Sequence, residues 1–413
     1  MAAAPTLWHH PNFLRLWIGQ SVSQFGNQFT GLALQFLAVK TLLASPAEIG
    51  ILAALGTLPF LLIGLLVGVW VDRHRRRPIL IVGDFGRGVI VVAIAALTVL
   101  GLVRMEYLYV LAFATGVLTV FFDVSYQAYL PALVPREQIV EGNSKLEATN
   151  TSAQVAGPVL AGVVVQSLGY AFAFVSDGLS FFFSAGLMSR ISKEETPPTP
   201  SERRSVRADI REGLRVVFRD RRLWSIAGCT GTANLFSGAL FALFTLYAIR
   251  TLGLEPVAIG IIGGIGGIGG IIGAVTANRL AKRIGVGRAI VLSIFIGSLS
   301  AFGIVFATPA LAFPFLTATV FVGSLGSLWY NINQVSLRQS LVPIRLQGRL
   351  NATIRFLVWG TLPIGSVIGG ILGQVIGVYP AIVIAAVGGL VAVLWVFFSP
   401  VRHLVTIPPP TDG

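Results

Sequence analysis

Gly68-Val69-Trp70-Val71-Asp72-Arg73-His74-Arg75-Arg76-Arg77-Pro78 joins two apolar runs, residues 49–71 and 79–102, and holds five charges within positions 72–77. Each flanking run is long enough to cross ~30 Å of hydrocarbon at ~1.5 Å per residue. A cationic knot between two such runs predicts a short loop on the cytoplasmic side of a membrane, where Lys and Arg accumulate. Outward from it the pattern repeats, with apolar runs at 13–37, 108–129, 146–168, 171–187, 223–247, 259–280, 289–307, 313–335, 352–376 and 381–398. The sequence therefore predicts twelve membrane spans.

Composition agrees. Of 413 residues, 54% are hydrophobic and only 11% charged, with a mean hydropathy of +0.81. A soluble domain carries roughly 25% charged residues, so a soluble enzyme is excluded. The single cysteine, Cys229, sits in an apolar run, and the four histidines (His9, His10, His74, His403) are scattered at loops and ends. No disulfide, metal site, cofactor or catalytic triad is expected from them. Residues 1–11 lack the basic start of a cleaved signal.

With the N-terminus inside, only Lys40, Arg104 and Arg250 of the 30 cationic residues fall at outer ends or loops. Both termini are thus expected in the cytoplasm, in an inner (plasma) membrane. The net charge of +13 is explained by loops beside anionic headgroups, not by nucleic acid.

The chain also repeats itself. Leu133-Val134-Pro135 recurs as Leu341-Val342-Pro343, an offset of 208 at which Asn143 meets Asn351, Gly157 meets Gly365 and Gly162 meets Gly370. Asp72-Arg73 returns as Asn278-Arg279, an offset of 206. Duplication gives two six-span bundles, residues 1–190 and 223–413, with a substrate site expected between them near the midplane. Residues 191–222 open on Pro197, Pro198 and Pro200. They continue as an Arg-rich stretch whose Ile210, Leu214, Val217 and Phe218 predict an amphipathic helix on the cytoplasmic surface.

Over essentially the whole chain the sequence resembles the major facilitator superfamily: an all-α membrane fold of twelve helices in two pseudo-symmetric bundles. Gly68, Asp72, Arg73, Arg76 and Arg77 are similar to its signature loop, although Arg75 stands where the family has a turn glycine. Asn278 and Arg279 form a weaker second copy. The resemblance implies a cytoplasmic latch, in which Asp72 faces a helix N-terminus or an arginine in one state and loses it in the other. Phe122-Asp123 to Pro131, Val134-Pro135-Arg136 and Gly157-Pro158 to Gly162 are similar to the enterobactin-exporter and macrolide-efflux-like branch. Gly157-Pro158 approximates the drug/proton antiporter motif, implying a bent, tightly packed span five; the span-four arginine of such antiporters is absent. Efflux is implied over uptake or lipid translocation. The glycines from Gly263 to Gly273 lie in an Ile-rich span with no Lys-Ser or Lys-Thr after them, and predict helix packing, not a phosphate loop.

Ionisable residues inside a membrane are functional candidates. Asp123, Asp177 and Asp84 are the proton-coupling candidates, with Arg87 three residues from Asp84 as a pairing partner. Asp123 ranks first, because it lies on a cavity-lining span and its repeat counterpart, Asn331, cannot titrate. In span one Gln20, Gln24, Asn27 and Gln28 form one polar face. With Asn234 in span seven and Tyr330, Asn331 and Gln334 in span ten, they predict a cavity for a bulky, partly apolar organic molecule. The expected partners are the lipid bilayer, such a substrate and protons, for a chain acting as a monomer.

Overall fold

The computed structural model describes residues 6–192, 195 and 206–407, and among them there are helices and no strand. The helices are α1 (Pro11–Phe36), α2 (Pro46–Val71), α3 (Arg76–Val99), α4 (Met105–Leu133), α5 (Ile139–Ser189), α6 (Val206–Arg219) and α7 (Arg221–Arg250). They continue as α8 (Pro256–Ile284), α9 (Val286–Ser300), α10 (Phe302–Val305), α11 (Ala312–Ser340), α12 (Ile344–Trp359), α13 (Thr361–Val375) and α14 (Val378–Phe397).

Among the described residues, ten helical stretches are long and apolar enough to cross a membrane. One of them, Arg136–Ser189, holds two spans, because Gly169 at φ 83 breaks the 51-residue α5. The 26-residue α1, about 39 Å at 1.5 Å per residue, completes the twelve; its polar face dilutes its hydropathy. Helices run a turn or so beyond the apolar runs. Backbone hydrogen bonding continues into polar residues that a hydropathy window stops at. Gly377, at φ 94 between α13 and α14, lies 208 residues after Gly169, the offset of the sequence repeat. Both positions need the left-handed backbone that glycine supplies.

The chain divides into two compact units. The first comprises Met1–Ala44, Leu55–Ser201 and Glu255–Gly264, the second Ser45–Ala54, Glu202–Leu254 and Ile265–Gly413. In the first, Phe13, Leu16, Leu80, Phe122, Leu130 and Met188 form a buried core. In the second, Ile226, Cys229, Ile290, Leu337, Val393 and Val396 do so.

Each unit thus takes in the first turns of a helix whose remainder lies in the other, and small residues make that possible. In the first unit a Cβ on Gly260 would overlap the Pro158 carbonyl oxygen, and one on Gly162 would stand 2.6 Å from that of Pro256. In the second, a Cβ on Gly370 would stand 2.7 Å from the Pro46 carbonyl oxygen. The span-five motif is a packing surface: Gly157 lies under the Gln28 side chain, and Pro158 under Gly260 and Gly263.

The proline-rich opening of the linker lies outside the described residues. α6 follows it, but Val217 is fully buried among Leu223, Leu350 and Ile354 of the second unit, while Phe218 is exposed against the Trp224 ring at 4.6 Å. The predicted stripe is split: one side docks on α12 and α7, and Phe218 faces out. Of that stripe, the Ile210 side chain lies outside the described residues.

Candidate functional site

α3, α4 and the second half of α5 bring three ionisable side chains together inside the first unit. Asp84 and Asp177 are fully buried and Arg87 nearly so. Arg87 is ion-paired with Asp84, one turn before it on α3. Its guanidinium lies over the rings of Phe122 (4.1 Å to the centroid) and Phe181 (4.5 Å). Stacking between two rings holds the cation where water is excluded. Asp177 Oδ1 accepts from the Ser180 hydroxyl at 3.2 Å. The Ser184 hydroxyl also faces the Asp84 carboxylate, and the Thr30 hydroxyl faces that of Asp177.

α1 closes over this group through glycines. A Cβ on Gly26 would stand 2.6 Å from Asp177 Oδ1, and one on Gly19 would stand 3.1 Å from Ser184 Oγ. Gln20 donates from Nε2 to Ser184 Oγ at 3.2 Å. Sequence reasoning singled out the acids, Arg87 and Gln20, but not Ser180 and Ser184. Their spacing of three and seven from Asp177, on one helical face, was the available signal. Asp123 of α4 is only half-buried.

The amide candidates separate into two kinds. Asn234 donates to the Val358 carbonyl at 2.9 Å and Tyr330 shares a 2.7 Å hydrogen bond with Thr230, so both join helices. Gln334 is buried with Oε1 unpartnered among the described residues. Gln24, Asn27 and Gln28 are half-buried and Asn331 is exposed. Gln24 and Gln20 line a recess of about 130 Å³ with Tyr126, Glu147 and Asn150.

At the signature loop, Arg75 has φ −64 and ψ 129 as the N-cap of α3. No left-handed turn is made there, which is how an arginine fits in place of glycine. The second loop does have one, at Gly285 with φ 89, after Asn278 and Arg279 in the last turns of α8. The α3 N-terminus is occupied by Glu195, not Asp72. Glu195 Oε2 accepts from the N–H groups of Arg76 (2.7 Å) and Arg77 (3.1 Å), and Oε1 pairs with the Arg76 side chain at 3.3 Å. Arg77 donates to the carbonyls of Met188 (3.1 Å) and Ser189. Asp72 and Arg73 are exposed and Gly68 is half-buried; the Asp72 carboxylate has no partner among the described residues.

Residues 16–362 match the model of the Major Facilitator Superfamily. The chain belongs to this superfamily. Among its superfamily relatives, the enterobactin exporter EntS of Citrobacter koseri is 24% identical over 98% of this chain and 96% of its own length. Macrolide efflux protein A of Streptococcus pyogenes is 26% identical over 60% of this chain and 62% of its own. The match to the transporter YfiS of Bacillus subtilis, 24% identical, spans about half of each chain (52% and 51%). Two solved structures share the superfamily fold. The nucleoside transporter NupG aligns with a TM-score of 0.76 at 14% identity, over 94% of this chain and 99% of that one. A bacterial homologue of the iron transporter ferroportin aligns with 0.74 at 19%, over 94% and 98%. This superfamily member is a multi-pass membrane transporter whose relatives include efflux proteins.

Proposed function

We propose that the protein exports small, amphipathic organic molecules from the cytoplasm by proton antiport with alternating access. It would act as a monomer in the inner membrane with both termini cytoplasmic. The observation that carries the coupling is the buried trio of Asp84, Arg87 and Asp177. Two carboxylates against one guanidinium form a neutral group only with one proton bound, and an uncompensated buried charge is costly. Arg87 pairs with Asp84, which leaves Asp177 to carry the proton. On this ground we put Asp177 first and Asp123, the first choice from the sequence, second. On the substrate side, the side chains of Gln24, Asn27, Gln28 and Asn331 make no hydrogen bond among the described residues, so their amides are available to a ligand. The direction rests on the resemblance to the exporter branch and on the efflux relatives. Asp72 is proposed as a latch partner in another state of the cycle.

The test is pH-gradient-driven flux in proteoliposomes across a panel of amphipathic compounds and siderophores. Asp177→Asn is expected to abolish gradient-driven accumulation while counterflow exchange persists. If Asp177→Asn and Asp123→Asn both keep full accumulation, antiport fails and facilitated diffusion replaces it.

A further inference from the structure

In the second unit α9 and α14 pack side by side, and the chain beyond α14 turns back over the start of α9. The Ser399 hydroxyl accepts from the Val401 N–H at 3.2 Å, and Val401 is fully buried. The Leu404 carbonyl then accepts from the Gly287 N–H at 2.8 Å and the Val405 carbonyl from Val286 at 3.2 Å. Two of the amides that a helix start leaves unsatisfied are used this way. Gly287 is required: a Cβ there would overlap the Val401 carbonyl oxygen. This strap fixes Arg402 and His403 beside Arg288.

Between the two helices, next to those three residues, lies an apolar groove of about 620 Å³. Leu292, Phe295, Leu394 and Phe397 wall it and are exposed. From Arg288 to Phe295 the trough runs along α9 for about 10 Å. Among the described residues no carboxylate pairs with Arg288 or Arg402. His403 Nε2 accepts from Arg402 Nε at 2.9 Å, so its proton is on Nδ1, a second donor.

We propose that this groove binds one anionic phospholipid. Arg288 and Arg402 hold its phosphate, with His403 as a further donor, and an acyl chain lies along Leu292, Phe295, Leu394 and Phe397. The cationic end fits an anionic headgroup, as basic pockets between membrane helices do. The apolar trough distinguishes a lipid from a free anion, which has no use for such walls.

The full chain in mild detergent is mixed with phosphatidylglycerol or phosphatidylcholine of matched acyl chains, and bound lipid is counted by native mass spectrometry. One phosphatidylglycerol is expected to be retained over phosphatidylcholine. Arg288→Ala or Arg402→Ala should weaken its binding about fivefold, and the pair roughly thirtyfold. Phe295→Gln, which keeps the cations, should also weaken it. Excess inorganic phosphate should leave the lipid in place. The proposal is overturned if the double variant retains phosphatidylglycerol like the parent, if both lipids bind equally, or if inorganic phosphate displaces the lipid.

Discussion

Gly260 lies so close to Pro158 that a Cβ on it would overlap the proline's carbonyl oxygen. The hydrogen bond from the Val257 N–H to Gln166 Oε1, 3.1 Å, fixes the same contact one turn away. Gly260→Leu is therefore expected to disfavour this conformation by about 1–3 kcal/mol, the usual scale of overpacking. Disulfide formation between cysteines placed at Gln166 and Val257 checks it; the native Cys229 is buried and will not interfere. Unchanged crosslinking in the leucine variant would refute the expectation.

Arg87→Ala removes the cation from a buried pair and leaves Asp84 alone. A loss of about 3–5 kcal/mol is expected, seen as a large fall in the melting temperature of detergent-solubilised protein. Asp84→Asn combined with Arg87→Gln should recover most of it, since the two neutral groups can still bond. If Arg87→Ala melts like the parent, the pair does not hold the bundle together.

Leu43 is the one non-glycine residue at positive φ (51) among the described residues. Gly253, φ 70, occupies the corresponding place before α8. Left-handed backbone costs a branched residue ~1–2 kcal/mol, while glycine costs about 0.5–1 through its unfolded-state freedom. Leu43→Gly should thus stabilise by about 0.5 kcal/mol, and Leu43→Val should destabilise, in thermal unfolding of the purified protein.

Asp220 caps α7, accepting from the Arg222 N–H at 2.8 Å. Burial pushes its carboxyl up, but the hydrogen bonds and charge of Arg222 outweigh this and hold it below the ordinary value of 3.8. A depressed folded-state value means that the stabilisation is present above the ordinary carboxylate range and is lost as pH falls below it. The parent should therefore lose stability below about pH 4 more steeply than Asp220→Asn. Parallel melting curves for the two down to pH 3 would contradict this.

Topology is checked by reporter fusions. Fusions after Leu168 or Ile376 are expected to read periplasmic and a fusion after Pro200 cytoplasmic. A periplasmic Pro200 would overturn the orientation.

The twelve spans were legible in the sequence because a bilayer demands about twenty apolar residues per crossing, and no packing detail alters that demand. The Asp84–Arg87 pair was legible too, being a local helical spacing. What lay hidden depends on contacts distant in sequence. Glu195 reaches the α3 N-terminus across more than a hundred residues. The full burial of Asp177 was hidden because nothing local shows that Gly19 and Gly26 let α1 close over span six. The amphipathic stripe of α6 named its apolar face correctly in part, but composition does not distinguish a bilayer from a neighbouring helix as the surface that covers Val217.

Gly169 and Gly377 have a bearing on how the chain is made. In each half the last two spans are joined by one residue or little more, with no loop to thread separately. A pair joined this way has no soluble segment between its limbs to translocate, so insertion as a single hairpin is expected of it. Those two corners, like the one-residue join at Gly285 between α8 and α9, leave little slack for an inserted protease site or epitope tag.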